Sequence, residues 1–250
     1  MKKSKLINKI LIGVLWIIIW QAAAMIIDQR LILVSPTDVI VRLVRLIPNK
    51  VFITSICVSA LRIVTGFSLG MTVGTLLAVL AARFNSIREF LAPFMSAVKA
   101  VPVASFTILA LFLIPSRDLS ILVTFLIALP IVYSNILTGI DNTDRGLLEM
   151  ASLFGISPIR KTLSIYFSQV LPYFKSASSV ASGLSWKSGV AAELIVIAKS
   201  TIGERLYEAK VGFEMADLFA WTFIVILLSF LTEFLYSKLI DGIWHIIQKI

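Results

Sequence analysis

The sequence contains few residues that could form or break covalent bonds. Cys57 and His245 are its single cysteine and single histidine. A Cys/His metal site needs several ligands, and a serine nucleophile needs a base within hydrogen-bond reach. A short motif around Ser185 resembles part of a serine-protease motif, but His245 lies beyond the last apolar stretch. The sequence therefore predicts that the protein is not an enzyme and binds no metal or cofactor of its own.

Four ionisable residues fall inside or near long apolar stretches: Arg62, Lys99, Lys187 and Glu193. A charge at the centre of a bilayer costs about 2.5 to 3.5 kcal/mol or more, so such residues pair, face water or extend to the membrane surface. Arg62 and Glu193 lie toward the predicted outer ends of their stretches and are expected to reach the surface. Lys99 and Lys187 lie deeper and are predicted to line a path for an anion. The alternative is that each lysine is a structural partner of a helix-end carbonyl or a carboxylate.

The composition places these residues in a membrane protein. Of the 250 residues, 58% are hydrophobic and 15% are charged, and the mean hydropathy is +0.96. The net charge of +9 would suggest nucleic acid binding in a soluble protein. In a protein with several spans it indicates an excess of Lys and Arg on cytoplasmic loops. We therefore predict a partner bilayer and no nucleic acid.

Six apolar stretches are long enough to cross a bilayer. We predict one all-α domain over residues 1–250, with spans at 10–27, 54–82, 91–113, 119–140, 170–198 and 218–240. The first stretch is predicted to be kept as a span, since it is long for the apolar region of a signal peptide. More Lys and Arg fall on the inner segments when the N-terminus is inside, which predicts a cell-membrane protein with both termini cytoplasmic. The apolar spacing after Ser35-Pro36 predicts a short amphipathic helix on the outer surface.

The longest predicted cytoplasmic segment, 141–169, is predicted to form two short helices around a glycine turn. Asp144 can cap the first helix, and Gly155 supplies the left-handed residue that ends it. Ser157 and Pro158 then begin the second helix. The apolar stripe of the first helix consists of Leu147, Leu148, Ala151 and Phe154. Such a helix is either a connector on the lipid headgroups or a docking helix that inserts its apolar residues into a partner.

Within this loop, Glu149-Met150-Ala151 followed by Gly155 resembles the EAA loop of permease subunits of binding-protein-dependent ABC importers. Met150 stands where that motif has its middle alanine. The resemblance covers nearly the whole chain and is similar to the sulfonate, taurine and nitrate branch of the type I importers. Its further motifs are Ser35-Pro36, Ser59-x-x-Arg62-x-x-x-Gly66, Lys99-x-x-Pro102 and Trp186-Lys187-x-x-Val190-Ala191-Ala192-Glu193.

The resemblance implies a type I ABC importer permease fold in which the loop helix is the coupling helix. The implied partners are two ATPase subunits, a second permease copy in a homodimer, and an extracytoplasmic solute-binding protein. The sequence has no G-x-x-x-x-G-K-[ST] motif, so ATP and Mg are expected on the ATPase. The implied cargo is a small anionic or sulfonate-like solute. The implied coupling residues are Asp144, Leu147, Leu148, Glu149, Ala151, Phe154 and Gly155.

Small residues recur at helical spacing in two of the stretches. Those of the second stretch follow a four-residue step, which predicts the close approach of another helix. They are Gly66, Gly70 and Gly74. Three serines share one face of the fifth stretch, where they form either a packed seam or the wall of a translocation path. They are Ser178, Ser182 and Ser185. The resemblance favours the path, since this span lines it in the family.

A different class of protein, an ion-coupled secondary transporter without an ATPase, is the alternative function. Such transporters use intramembrane carboxylates and interrupted helices near the midplane. We assign Glu193 as the only carboxylate in the predicted spans, and the sequence has no evident inverted repeat. Both observations disfavour this alternative.

Overall fold

A computed structural model describes residues 2–29 and 31–247, and their side chains except those of residues 2–7, 9 and 10. The orientation prediction also counts the lysines near the N-terminus, Arg30 and Lys249. Their side chains are not among those described. The described residues form helices and no β-strand, so the all-α prediction is confirmed. In chain order the helices are α1 (Lys2–Ile27), α2 (Pro36–Leu46), α3 (Lys50–Arg83), α4 (Asn85–Ala100), α5 (Val103–Leu111), α6 (Leu119–Asp141), α7 (Arg145–Leu153), α8 (Pro158–Lys161), α9 (Phe167–Val196), α10 (Ile202–Val211) and α11 (Met215–Ile247), and a π-helical turn, Thr162–Tyr166, joins α8 to α9.

Three helices, α3, α6 and α11, are long and apolar enough to cross a membrane. They correspond to the predicted spans at 54–82, 119–140 and 218–240. Helix α9 has 30 residues, enough to cross, but its serines and lysines keep its hydropathy lower. In α1 the described apolar part is Leu11–Ile27, which is shorter than the other spans. The length and composition of the helices therefore do not establish the predicted count of six.

The stretch 91–113, predicted as one span, is not a single straight helix. The structure has two helices there, α4 and α5, which meet at an angle of 99°. Pro102 causes the break, because it has no N–H to donate and it disfavours the helical conformation at the residue before it. Val101 accordingly has φ −71° and ψ 125°. Lys99 therefore lies in the last turn of α4, next to the bend.

Helix α6 lies at the centre of the bundle, between α3 and α9. Its buried side chains include Val132 and Ile136, which pack in one apolar core with Phe67 of α3 and Ala181 of α9. At its far end, Gly139 contacts the ring of Tyr173. Because α6 precedes α7 and α9 follows it, the two helices that flank the loop are themselves packed along their length.

Helix α2 is held against the first turn of α11. Helix α2 lies where the sequence predicts a short amphipathic helix, and Ser35 caps it by accepting a hydrogen bond from the Asp38 N–H (3.2 Å). Arg42 forms a bidentate ion pair with Asp217, and this hydrogen bonding raises the pKa of Arg42 above its ordinary value. Helix α1 joins this group through a hydrogen bond from Trp20 Nε1 to the Val34 carbonyl (3.0 Å). The first helix is therefore attached at its end, while its described side chains are mostly exposed.

Candidate functional site

The loop helix α7 begins and ends as the sequence predicts. Asp144 Oδ1 accepts a hydrogen bond from the Gly146 N–H (2.8 Å) at its start. Gly155 has φ +63° at its end, where its N–H donates to the Ser152 carbonyl (3.2 Å) and the Ile156 N–H donates to the Ala151 carbonyl (2.9 Å). These two bonds form a Schellman motif, which satisfies the last carbonyls of the helix.

Two side-chain hydrogen bonds hold α7 against the start of the next helix. Lys161 Nζ donates to Ser152 Oγ (3.0 Å), and the Asp144 N–H donates to Gln169 Oε1 (2.9 Å). Ser157 caps α8, with the Arg160 N–H at 3.5 Å from its oxygen. The loop helix is therefore fixed at both of its ends to the helix that becomes α9.

The predicted apolar stripe of α7 divides into an inner and an outer part. Ala151 is 1% exposed and Leu148 is half-buried, so these two pack inward. Leu147 is exposed, and Phe154 is 78% exposed. Glu149 and Asp144 are also exposed. The sequence analysis missed Leu153, which is 87% exposed and, next to Phe154, enlarges the exposed apolar surface at the end of the bundle. Its position two residues before Gly155, the residue predicted to end the helix, was the available signal.

The glycines of α3 lie directly against α6. A β-carbon at Gly66 would overlap Thr124 Oγ1 and the Ile121 carbonyl oxygen. At Gly70 it would lie 2.5 Å from the Ala128 β-carbon, and at Gly74 it would lie 2.9 Å from the Leu129 carbonyl oxygen. Small residues permit this approach of two backbones in a membrane, where dispersion favours tight packing.

The three serines of α9 are buried inside the chain. Ser178 is 3% exposed, and Ser182 and Ser185 are 0% exposed. A wall of a water-filled path between two chains would be open in one chain, so the geometry favours the packed seam over the path. The opposite face of α9 is exposed and includes Gly183 and Lys187.

The two lysines occupy different environments. Lys99 donates a hydrogen bond to Ser134 Oγ (3.0 Å) on α6, next to the 99° bend. Its place in the last turn of α4 brings it near helix-end carbonyls, which favour a cation. Lys187 is exposed on α9 and forms no ion pair with the described residues. Both lysines are exposed, and they differ in that Lys99 bonds to Ser134 of a neighbouring helix.

Two predictions from the sequence about carboxylates in the spans are wrong. Glu193 does not reach the membrane surface, since it is 0% exposed and accepts a hydrogen bond from Ser59 Oγ (2.6 Å). It is also not the only carboxylate in the predicted spans, because Glu233 lies within 218–240 and accepts a hydrogen bond from Ser179 Oγ (2.6 Å). The sequence does indicate Glu233, because it is an acidic residue inside an apolar stretch.

The family can be determined from the sequence. A family model described as the inner membrane component of binding-protein-dependent transport systems matches residues 70–245. The chain belongs to this family. The matched part extends from α3 to α11 and includes the loop helix.

The permease is similar in sequence to several named permease proteins. A probable ABC transporter permease protein of Brucella melitensis is 24% identical over 193 residues, which cover 75% of this chain and 76% of that protein. The Bacillus subtilis protein named "Putative aliphatic sulfonates transport permease protein SsuC" is 24% identical over 219 residues, 87% of this chain and 79% of that one. The nitrate import permease protein NrtB of Synechocystis is 24% identical over 139 residues, 55% and 50% of the two chains.

The fold of the permease also has a solved counterpart. A crystal structure of an amino acid ABC transporter with histidines matches it with a TM-score of 0.58 and 15% identity, over 82% of this chain and 97% of that chain. The two chains therefore share a fold.

Membership in the family establishes the class of the protein. The permease is a multi-pass membrane subunit of an ABC importer and not an enzyme, and ATP is hydrolysed on a separate ATPase chain. The family also implies a solute-binding protein as a partner. The alternative of a secondary transporter acting without an ATPase is therefore wrong.

Proposed function

We propose that two copies of the permease enclose a translocation path, that each copy docks one ATPase subunit through α7, and that ATP and Mg are bound by those ATPases. The observation that carries the proposal is the exposed apolar end of α7, formed by Leu153 and Phe154, on a helix capped at both ends. Exposed apolar anchors on a rigid helix are what a groove in a partner protein recognises.

The attachment of α7 explains how a movement of the ATPase would reach the membrane. Helix α7 follows α6 directly, and its bonds to Lys161 and Gln169 join it to the start of α9. Since α6 and α9 pack along their length, a push on α7 moves both as one body. ATP-driven closure of the ATPases would thus change which end of the path is open. In this arrangement α7 and both termini are cytoplasmic, and the solute-binding protein delivers its cargo at the other end.

The exposed stripe of α9 is the part of the chain that supports a path between two copies. It includes Ser176, Gly183 and Lys187. The serine set Ser178, Ser182 and Ser185 faces the interior of the chain, so the path in our proposal follows the opposite face. A protonated lysine in a water-filled path attracts anions, and two relatives are named for nitrate and aliphatic sulfonates. We therefore propose a small anionic or sulfonate-like cargo.

Docking through α7 can be tested with Leu153→Asp. We expect the charged side chain to prevent insertion into an apolar groove and to lower the amount of ATPase that co-purifies with the permease by on the order of tenfold. The matched control is Leu113→Asp, because Leu113 is 86% exposed but lies after α5, away from the loop helix. Equal loss of ATPase in the two variants would contradict the proposal.

The charge of the path can be tested with Lys187→Met. Removal of the charge should slow the uptake of nitrate or methanesulfonate by on the order of tenfold in proteoliposomes that contain the ATPase and the binding protein, while the melting temperature stays the same. Lys99→Met should have a smaller effect on uptake, since Lys99 already bonds to Ser134. A loss of melting temperature in proportion to uptake would make Lys187 a structural residue.

A further inference from the structure

A buried carboxylate joins three helices at the end of the bundle opposite α7. Glu193 lies near the end of α9, and its Oε2 accepts hydrogen bonds from Ser59 Oγ of α3 (2.6 Å) and from the Gly203 N–H of α10 (3.4 Å). Ser59 Oγ in turn accepts a hydrogen bond from the Ile202 N–H (2.9 Å). The first N–H groups of a helix have no partner within it. Ser59 and Glu193 therefore hold the free end of α10.

The contact between α9 and α10 is as close as backbones allow. A β-carbon at Gly203 would overlap the β-carbon of Glu193 and would lie 2.5 Å from the Leu194 nitrogen. Thr201 caps α10 by accepting from the Glu204 N–H (3.2 Å), and Ser200 donates its N–H to Glu204 Oε2 (2.7 Å). The start of α10 is therefore capped by its own residues as well as held by Ser59 and Glu193.

The same cluster contains polar atoms that the described chain leaves without partners. Glu193 Oε1, Arg62 Nη1 and Ser120 Oγ are buried, and none has a hydrogen bond to a described residue. Arg62 lies one turn along α3 from Ser59, the residue whose hydroxyl bonds to the Glu193 carboxylate. Unpaired buried groups of this kind cost free energy, above all when one of them is charged. The cluster thus holds a second set of partners for Glu193 that the present arrangement does not use.

We infer that Glu193 is a positioning residue of the transport cycle, which holds α10 on α3 and α9 in the present state and moves to Arg62 when this end of the path opens. The inference rests on the proposed function. Glu193 lies 26 residues beyond the start of α9 at Phe167, about 40 Å at 1.5 Å per residue. It therefore lies at the end where the path must be closed while the α7 end is open.

The spacing of Ser59 and Arg62 on α3 explains how Glu193 changes from one partner to the other. Arg62 follows Ser59 by three residues on α3, so the two side chains lie on neighbouring turns of one face. A shift of α9 along α3 by less than one turn would carry the carboxylate from the hydroxyl to the guanidinium. The new ion pair would offset the loss of the Gly203 contact, and both arrangements would be stable. Discrete shifts of one element past another are a known form of conformational switching.

The release of α10 can be measured as a distance. The single cysteine, Cys57, is exposed on α3, and Lys210 is exposed on α10. Spin labels at Cys57 and at Lys210→Cys report whether α10 stays on α3, in the nucleotide-free complex and after trapping with ATP and vanadate. We expect Glu193→Ala to give the long, trapped distance without nucleotide. Ser59→Ala, which removes one partner of the carboxylate and of the Ile202 N–H, should give a mixture of both distances.

The charge of Glu193 is tested separately with Glu193→Gln. The amide oxygen still accepts from Ser59 and Gly203, so the nucleotide-free distance should match the parent. The amide cannot pair with Arg62 as an ion, so the trapped population and the uptake of nitrate or methanesulfonate should fall by on the order of tenfold. Arg62→Met should have the same two effects. Glu233→Gln, a matched change at a carboxylate that bonds to Ser179 and not to α10, should leave both distances unchanged.

The results separate this inference from the proposed function. A parental distance in both Glu193→Ala and Ser59→Ala would overturn the inference, and so would parental uptake in Glu193→Gln. An unchanged distance in the parent after trapping with ATP and vanadate would also overturn the inference. The docking of the ATPase through α7 is judged separately, by the co-purification of the ATPase with Leu153→Asp and Leu113→Asp.

Discussion

Gly155→Val is expected to abolish ATP-driven uptake while the protein still inserts into the membrane. Gly155 has φ +63°, and a residue with a β-carbon pays about 1 to 2 kcal/mol in this conformation, with a higher cost for a β-branched side chain. No atom lies within 4 Å of the position that its β-carbon would take, so the cost comes from the backbone alone. The strained turn would lose the two Schellman hydrogen bonds, and α7 would no longer keep its angle to α8.

A graded series at the same position separates this cause from a general loss of stability. Asparagine tolerates positive φ best among the other residues, so uptake should decrease from Gly to Asn to Ala to Val. Uptake and ATPase co-purification are measured on the same preparations. The control is Gly242→Val, since Gly242 also has no neighbouring atom within 4 Å but lies in the helical part of α11. An equal uptake for Val and Asn at position 155 would show that the turn does not transmit the movement.

Gly66→Leu is expected to prevent the recovery of folded permease. Its β-carbon alone would overlap the Thr124 hydroxyl and a backbone carbonyl of α6, and backbone cannot move aside without separating the two helices. Overpacking in well-packed cores costs about 1 to 3 kcal/mol, and a backbone clash in the central helix pair places this change at the upper end or beyond.

For Gly66→Leu we expect a large fall in the yield of monodisperse protein in detergent and in its melting temperature. Gly70→Leu should have the same direction and a smaller effect, because its nearest atom is the Ala128 methyl group at 2.5 Å. Gly13→Leu is the control, since no atom lies within 4 Å of its β-carbon position on the exposed face of α1. A parental melting temperature for Gly66→Leu would mean that α3 and α6 do not pack through this groove.

The sequence predicted the parts of the fold that depend on local chemistry. Asp144, Gly155 and Ser157 each act on backbone groups within a few residues, so helix caps and turns could be located without the structure. The spacing of Gly66, Gly70 and Gly74 indicated a groove for the same reason, because helical periodicity places them on one face. It could not identify α6 as the helix that fills the groove.

The features that the sequence did not predict depend on contacts between distant segments. Glu193 has its partner Ser59 at a separation of 134 residues, and no local pattern indicates that a carboxylate near a helix end is buried. The orientation of Ser178, Ser182 and Ser185 depends in the same way on which face of α9 meets α6. The bend at Pro102 had a local signal, but the apolar character of 91–113 obscured it. The start of helix α10 also had a local sequence signal, since Thr201 and Glu204 have the spacing of a capping box.

The π-helical turn at Thr162–Tyr166 changes the kind of motion that α9 receives. One such turn accommodates a residue more than an α-helical turn, which rotates everything beyond it by about 100° around the helix axis. The face of α8 that bonds to α7 through Lys161 and the face of α9 that packs on α6 are therefore out of phase. A pull on α8 that adds or removes this extra residue would be absorbed as a local rotation of α8, while α9 stays packed on α6 and moves with it as one body.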